Sequence, residues 1–188
     1  MKNAPGLLLC VFALLTLLSA CGTGSTAQPA PQAAIEIAVE SEAFNDGATI
    51  PVQYTCDGAD ISPPLTWSAP PSGTESLVLI VEDPDAPGDV WTHWVAFNIP
   101  PGTHSLPEAV SPDGAATEGV GIQGKNCWQK IGYGGPCPPE GSEHRYFFRV
   151  YALDTILEVD AGSGKKSVQR AMEGHILAQG ELMGRYAR

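Results

Sequence analysis

Proline and glycine interrupt this chain every few residues, and that limits its fold more than any other feature. There are 17 prolines and 21 glycines among 188 residues. Inside a helix a proline removes a backbone bond and clashes with the preceding turn, and a glycine costs about 1 kcal/mol relative to alanine. Punctuation of this kind argues for short strands joined by turns rather than long helices. The candidate strands are the apolar runs 35–39, 76–82, 93–99 and 145–153. In the last run Tyr146, Phe148, Val150 and Ala152 alternate with Arg145, Phe147, Arg149, Tyr151 and Leu153. Both faces carry bulk, which predicts a central strand with one polar end. A helical period arises only after Ser163, with Val168, Ala171 and Met172 on one stripe, and then with Ile176, Leu177, Leu182 and Met183 beyond Gly174. The pattern predicts two short helices separated near Gly174. The fold class is therefore mainly β, an antiparallel β-sandwich of short strands with short C-terminal helices.

The N-terminus has a different character. One positive charge in Met1-Lys2-Asn3 precedes an apolar run from Leu7 to Leu18 that ends at Ser19-Ala-Cys21. Roughly a dozen apolar residues are too few to span a bilayer, which needs about 20, so residues 1–20 are expected to be a secretory signal peptide. Leu18-Ser-Ala-Cys21 resembles a bacterial lipobox. That implies cleavage before Cys21, a diacylglyceryl group on its sulfur and a fatty acyl chain such as palmitate on its amine. The protein would then sit in the cell envelope, at the outer membrane of a Gram-negative host or the outer face of the plasma membrane otherwise. Residues 21–34 hold the lipidated cysteine and a tether of Gly, Ser, Thr, Ala, Gln and Pro with no charge and no large apolar side chain, a composition that cannot bury enough surface to fold. Residues 35–188 have the size of one domain.

Without Lys2 the mature chain has nine basic residues against 21 acidic ones, and between Lys2 and Lys125 there is no Lys or Arg at all. Phosphate backbones need clustered basic residues, so nucleic acid is excluded as a partner. Three cysteines follow Cys21: Cys56, Cys127 and Cys137. They allow at most one internal disulfide and leave one thiol over, and they lack the Cys-x-x-Cys spacing of a zinc site.

Chemistry concentrates in two stretches. Asp83-Pro-Asp85-Ala-Pro87 and His93-Trp94 lie between two apolar runs, and the prolines stiffen the turn that holds the carboxylates. Gly134-Gly135-Pro136-Cys137-Pro-Pro139 precedes His144-Arg-Tyr146 at the start of the alternating strand. Together with Tyr54-Thr-Cys-Asp-Gly58, Ser62-Pro-Pro-Leu-Thr-Trp67, Gly174-His-Ile-Leu-Ala178 and Gly184-Arg-Tyr186, these motifs resemble the phosphatidylethanolamine-binding protein family, in its bacterial Raf-kinase-inhibitor-like branch. The resemblance runs from about Phe44 to Arg188. It implies a β-sandwich of that type and a small anion pocket lined by Asp83, Asp85, His93, Gly134, Gly135, Pro136, His144 and Tyr146. The imidazoles and the phenol would supply donors, the glycine backbone close approach, and Asp83 orientation and proton sharing. Pro87, Pro136 and Trp94 would form a stiff wall. The family pattern also implies a Cys56–Cys137 disulfide and a tight turn with Ala86-Pro87 cis.

These residues imply a binding or regulatory protein and not an enzyme. Its partner would be a phosphate-bearing small molecule or phospholipid headgroup, with the membrane reached through the N-terminal lipid and a homodimer as a further expectation. The alternative is an inhibitor of a protease or kinase acting by protein contact. A hydrolase finds no support in a Gly-x-Ser-x-Gly elbow, and the histidines lack the helical pairing of a metal site, so no cofactor or metal is expected. The lipobox sets the first test. Cys21→Ser should accumulate unprocessed precursor, and the wild type should sediment with membranes, since its three acyl chains exceed the two signals needed for stable attachment. Soluble wild-type protein with an unmodified N-terminus would refute the anchoring.

Overall fold

The computed structural model describes residues 35–111 and 119–188. The expected signal peptide, the tether and Cys21 lie outside the described residues. The elements are β1 (Ile35–Glu36), β2 (Val39–Glu40), β3 (Leu65–Trp67), β4 (Ser76–Asp83), β5 (Trp91–Ile99), β6 (Ser105–Leu106), β7 (Ile122–Gln123), β8 (Glu143–Leu153), α1 (Lys165–Met172) and β9 (Ile176–Ala187). They build a six-stranded sheet in the order β1-β9-β8-β4-β5-β7 and a three-stranded sheet β2-β3-β6. All pairings are antiparallel except β1 with β9. The expected central strand is β8, which pairs with β4 on one side and with β9 along its whole length on the other.

The large sheet is covered on both faces. Leu77, Leu79, Val81, Trp94, Tyr146, Phe148 and Val150 pack with Val39, Leu65, Trp67 and Leu106 of the small sheet into one buried cluster. Val78, Ile80, Val95 and Phe97 point the opposite way and are covered by Leu157 and by Val168 and Met172 of α1. A Lys165 to Glu82 ion pair of 2.8 Å fastens the helix to the sheet.

The predicted second C-terminal helix is instead β9, and the reason lies in its glycines. The buried positions are Ala178, Gly180, Leu182, Gly184 and Tyr186, a strict period of two. Two of the five have no side chain and so give no hydrophobic signal. Both are there because other chain segments cross the strand at those points. A Cβ on Gly180 would lie 1.7 Å from the Ile37 carbonyl oxygen, and one on Gly184 would lie 2.4 Å from Ile50. The first helix of the pair is present as α1, and Gly174, at φ +83°, ends that segment as expected.

β5 carries an extra residue at each of two points. Leu77 and Leu79 pair with Ile99 and Ala96, and Val81 and Glu82 pair with Trp94 and Thr92. The first bulge contains Asn98 at φ +53°, and the second contains His93. Each extra residue reverses the facing of the strand beyond it. Trp94 and Ala96 thus face the small sheet together with Ile99.

Gly180→Ala forces a Cβ onto backbone that cannot withdraw. It should lower the unfolding free energy by about 1–3 kcal/mol in urea titration, whereas Gly102→Ala, with nothing within 4 Å of its Cβ, should be near neutral. Equal stability of the two variants would show that β9 is not crossed as described.

Candidate functional site

The bulge at His93 brings the site together. Regular alternation would send His93 to the α1 face with Val95. As the extra residue it instead turns to the face of Tyr146, its ring lying edge-on to the phenol with centroids 5.2 Å apart. Asp83 ends β4 and His144 begins β8, two strands that are direct neighbours. The two side chains meet there, with His144 Nδ1 at 2.7 Å from Asp83 Oδ2 and both residues buried. The other carboxylate oxygen, Oδ1, accepts the Asp85 N–H at 2.8 Å, so the Asp-Pro-Asp turn fixes the acid from behind. The Ala86-Pro87 bond of that turn is trans, not cis as the resemblance implied. The turn is closed by the Asp85 N–H donating to Asp83 and by the Arg145 N–H donating to Asp85 at 3.0 Å.

His93 exchanges hydrogen bonds with the glycine segment. Its Nδ1–H donates to the Gly134 carbonyl at 2.7 Å, and the Gly134 N–H returns a bond to the His93 carbonyl at 3.0 Å. Burial lowers the imidazole pKa below its usual 6.5, more than the Gly134 carbonyl and the Asp83 charge raise it. His93 is therefore neutral at pH 7. The Tyr146 hydroxyl is buried with no close hydrogen-bond partner among the described residues, and desolvation raises its pKa above the usual 10, more than the nearby Cys137 backbone lowers it, so it stays protonated.

Asp83, His93 and His144 open into one cavity of about 260 Å³, whose walls are Ala86, Pro87, Trp91, Trp128, Cys137, Pro138 and Pro139. Drug-sized pockets start near 300 Å³, so this one has room only for a smaller group. A larger cleft beside the start of α1, about 450 Å³ and lined by Lys125, Lys165 and Lys166, holds no such acid–imidazole pair.

The other residues of the expected site stand behind the cavity. Tyr146 supports His93 from below. Asp85 faces Arg145 and accepts from its Nε and Nη2 at 2.8 and 2.7 Å, and these bonds bring its pKa down to about 2. Gly134 is a glycine because the Trp128 ring fills the place of its Cβ, at 2.8 Å, and Gly135 because the Tyr54 carbonyl lies 2.4 Å from its own. The Gly135 N–H donates to Asp60 at 2.6 Å, so neither glycine amide is free for an anion. Pro136 accepts the Cys56 N–H at 3.1 Å and lines no wall. Trp94 also fails as a wall residue. Its side chain enters the core, where the indole N–H donates to Gln123 at 2.9 Å. Trp91, Trp128, Pro138 and Pro139 take that place instead. Sequence reasoning passed over Trp128, although an aromatic in a polar loop just before the glycine motif was the available signal. Its backbone N–H is held by Asn126 Oδ1 at 3.0 Å, and it packs edge-on against both Trp91 and His93.

Cys56 and Cys137 are joined in a disulfide that ties the loop after residue 51 to the cavity wall across 81 residues of sequence. Cys127 is the remaining thiol among the described residues. No group of three His, Cys, Asp or Glu among the described residues is placed to hold a metal.

Comparison with known proteins places relatives around this geometry. Residues 40–187 match the family model described as phosphatidylethanolamine-binding protein. A UPF0098 protein of Methanothermobacter thermautotrophicus is 53% identical over 150 residues, covering 80% of this chain and 98% of its own length. A solved structure from Chlamydia trachomatis, described as a phosphatidylethanolamine-binding protein homolog, aligns with a TM-score of 0.74 at 42% identity over 81% of this chain and 98% of its own. Escherichia coli YbcL, described as a new member of the mammalian PEBP family, aligns with a TM-score of 0.76 at 35% identity over 82% of this chain and 99% of its own.

The disulfide is the covalent brace of the cavity wall, and closing a loop this long restricts the unfolded chain strongly. Replacing Cys56 and Cys137 together by Ser should cost about 2–4 kcal/mol of stability, read as a lowered midpoint of thermal unfolding. An unchanged midpoint would mean the bond does not form in the mature protein.

Proposed function

The chain belongs to the phosphatidylethanolamine-binding protein family, whose members are generally binding proteins and not enzymes, and on that premise we propose that its cavity binds a phosphate-bearing small molecule or a phospholipid headgroup. The observation that carries this reading is the convergence of Asp83, His93 and His144, from three adjacent strands, on one small cavity. Rigid Pro and Trp walls limit the occupant to a group of headgroup size. The cavity lining has no serine, threonine, lysine or free cysteine, which favours capture or sensing as the role. The proposal also has the domain carried on a lipid-modified Cys21, which would hold the cavity at the envelope surface where such ligands are met. The Leu18-Ser-Ala-Cys21 motif supports that part of it.

Binding should depend on pH, with a sign set by the site. A phosphoryl group with a second pKa of about 6 gains a proton as pH falls from 8 to 6. Burial keeps His93 neutral until still lower pH. Each proton gained by the ligand removes a repulsion beside Asp83, so affinity should rise on going from pH 8 to pH 6. His93→Ala or His144→Ala should weaken phosphoethanolamine binding by about 1–3 kcal/mol, the range for a hydrogen bond to a charged group, with the far-ultraviolet circular dichroism unchanged. Calorimetry at three pH values measures both effects. Unaltered affinity in both variants would leave the motifs with a structural role only.

A further inference from the structure

Exposed disulfides are the ones that exchange with thiols, and both half-cystines of the Cys56–Cys137 bond are exposed. The backbones that carry the two sulfurs are also joined independently of the bond between them. The Cys56 N–H donates to the Pro136 carbonyl at 3.1 Å, the Gly135 N–H to Asp60 at 2.6 Å, and the Tyr133 hydroxyl to the Tyr54 carbonyl at 2.8 Å. With the sulfurs parted, these three hydrogen bonds still hold residues 54–60 against residues 133–136. The bond can therefore open without the fold opening with it, and the two thiols stay within reach for reclosure.

The two sulfurs differ in the charge beside them. Arg188 Nη1 lies 3.7 Å from Cys137 Sγ, and its Nε is steered there by Asp57 at 3.1 Å, a carboxylate that also accepts the Tyr186 hydroxyl at 2.8 Å. Asp57 directly follows Cys56. A guanidinium stabilises negative charge on the sulfur next to it, and a carboxylate opposes such charge. In exchange, the sulfur that bears charge more easily is the faster leaving group. We infer that Cys56–Cys137 is a thiol–disulfide exchange site for a dithiol reductant, at which Cys56 takes the incoming sulfur and Cys137 leaves. A thiolate attacks Cys56 Sγ, the Cys56–Cys137 bond breaks as the new sulfur–sulfur bond forms, and the electron pair leaves on Cys137 Sγ facing Arg188. The second thiol of the reductant, as thiolate, then attacks the reductant's sulfur in the mixed disulfide and expels Cys56. The protein gains two electrons, the dithiol departs as its own disulfide, and its two protons pass through solvent to the cysteines. Cys137 begins the Cys137-Pro138-Pro139 wall of the cavity, so this exchange frees that wall from the loop after residue 51.

The test treats the full-length protein without denaturant, with dithiothreitol or with the monothiol 2-mercaptoethanol, then quenches with iodoacetamide and maps the cysteine peptides by mass. Dithiothreitol should leave Cys56 and Cys137 alkylated together while the far-ultraviolet circular dichroism stays unchanged. The monothiol should be found on Cys56, with the alkyl group on Cys137, at least about fivefold more often than the reverse. Opening seen only in urea, or a monothiol spread evenly or lodged mainly on Cys137, would overturn the inference. Two variants separate charge from mere stability, because both break the Arg188 to Asp57 pair. Arg188→Gln should slow opening by about threefold or more, whereas Asp57→Asn, which leaves the guanidinium to the sulfur alone, should speed it. Faster opening in both would show that the pair only holds the loop, and would overturn the role of Arg188 and the direction of exchange with it. If either variant does not fold, the position of the monothiol on the wild type still decides.

Discussion

The pairing of β8 between β4 and β9 is the constraint on which the rest of the structure hangs. β8 is eleven residues long and hydrogen-bonded on both edges, and its inward side chains Tyr146, Phe148, Val150 and Ala152 have no exposure at all. Slipping the strand by one residue would exchange those for Arg145, Phe147, Arg149 and Tyr151, so its register is held by the whole core. His144 stands at the entry to this strand and Asp83 at the exit of its neighbour. Their 2.7 Å contact is therefore positioned by packing far larger than the contact itself. Sheet and site share one register.

That arrangement explains why a protein can keep a buried carboxylate facing a cavity. An isolated ionised acid in such a place would be costly, but Asp83 is bonded on both oxygens, by a backbone amide and an imidazole. The next acid of the same turn, Asp85, is engaged by Arg145 on the outside, so the two carboxylates of one motif do different work. One holds the His144 imidazole, and the other pins the turn to β8. Acid–imidazole pairing of this kind sets a tautomer, and here it puts the His144 proton on Nδ1, facing Asp83.

The sheet's opposite face shows the same division between local pattern and assembly. Glu82 points away from the cavity and is bonded by Arg149 and Lys165, which docks α1 over Val78, Ile80, Val95 and Phe97. Adjacent residues at the end of β4 thus serve two layers, Glu82 the helix and Asp83 the cavity.

By itself the sequence determined the class of fold, the long strands β4, β5 and β8 and the amphipathic α1, because apolar runs, helical stripes and proline-stiffened turns are local properties written in neighbouring residues, whereas the expected strand 35–39 divides into β1 and β2 of different sheets and the set of cavity residues was legible only through the resemblance of their motifs to a family. It misassigned β9, where Gly180 and Gly184 stand at buried positions and show no hydrophobicity, being glycine only because Ile37 and Ile50 cross above them. It placed Trp94 at the wall and gave the glycine amides to a ligand, because nothing local in the sequence marks the extra residue at His93 or the Asp60 carboxylate that takes up the Gly135 amide. Only the tertiary structure decided which way His93 points, which tautomer it holds, and that Trp91 and Trp128 close the cavity. Those properties depend on which strand lies beside which, at what register, and on partners tens of residues away that no local pattern can specify.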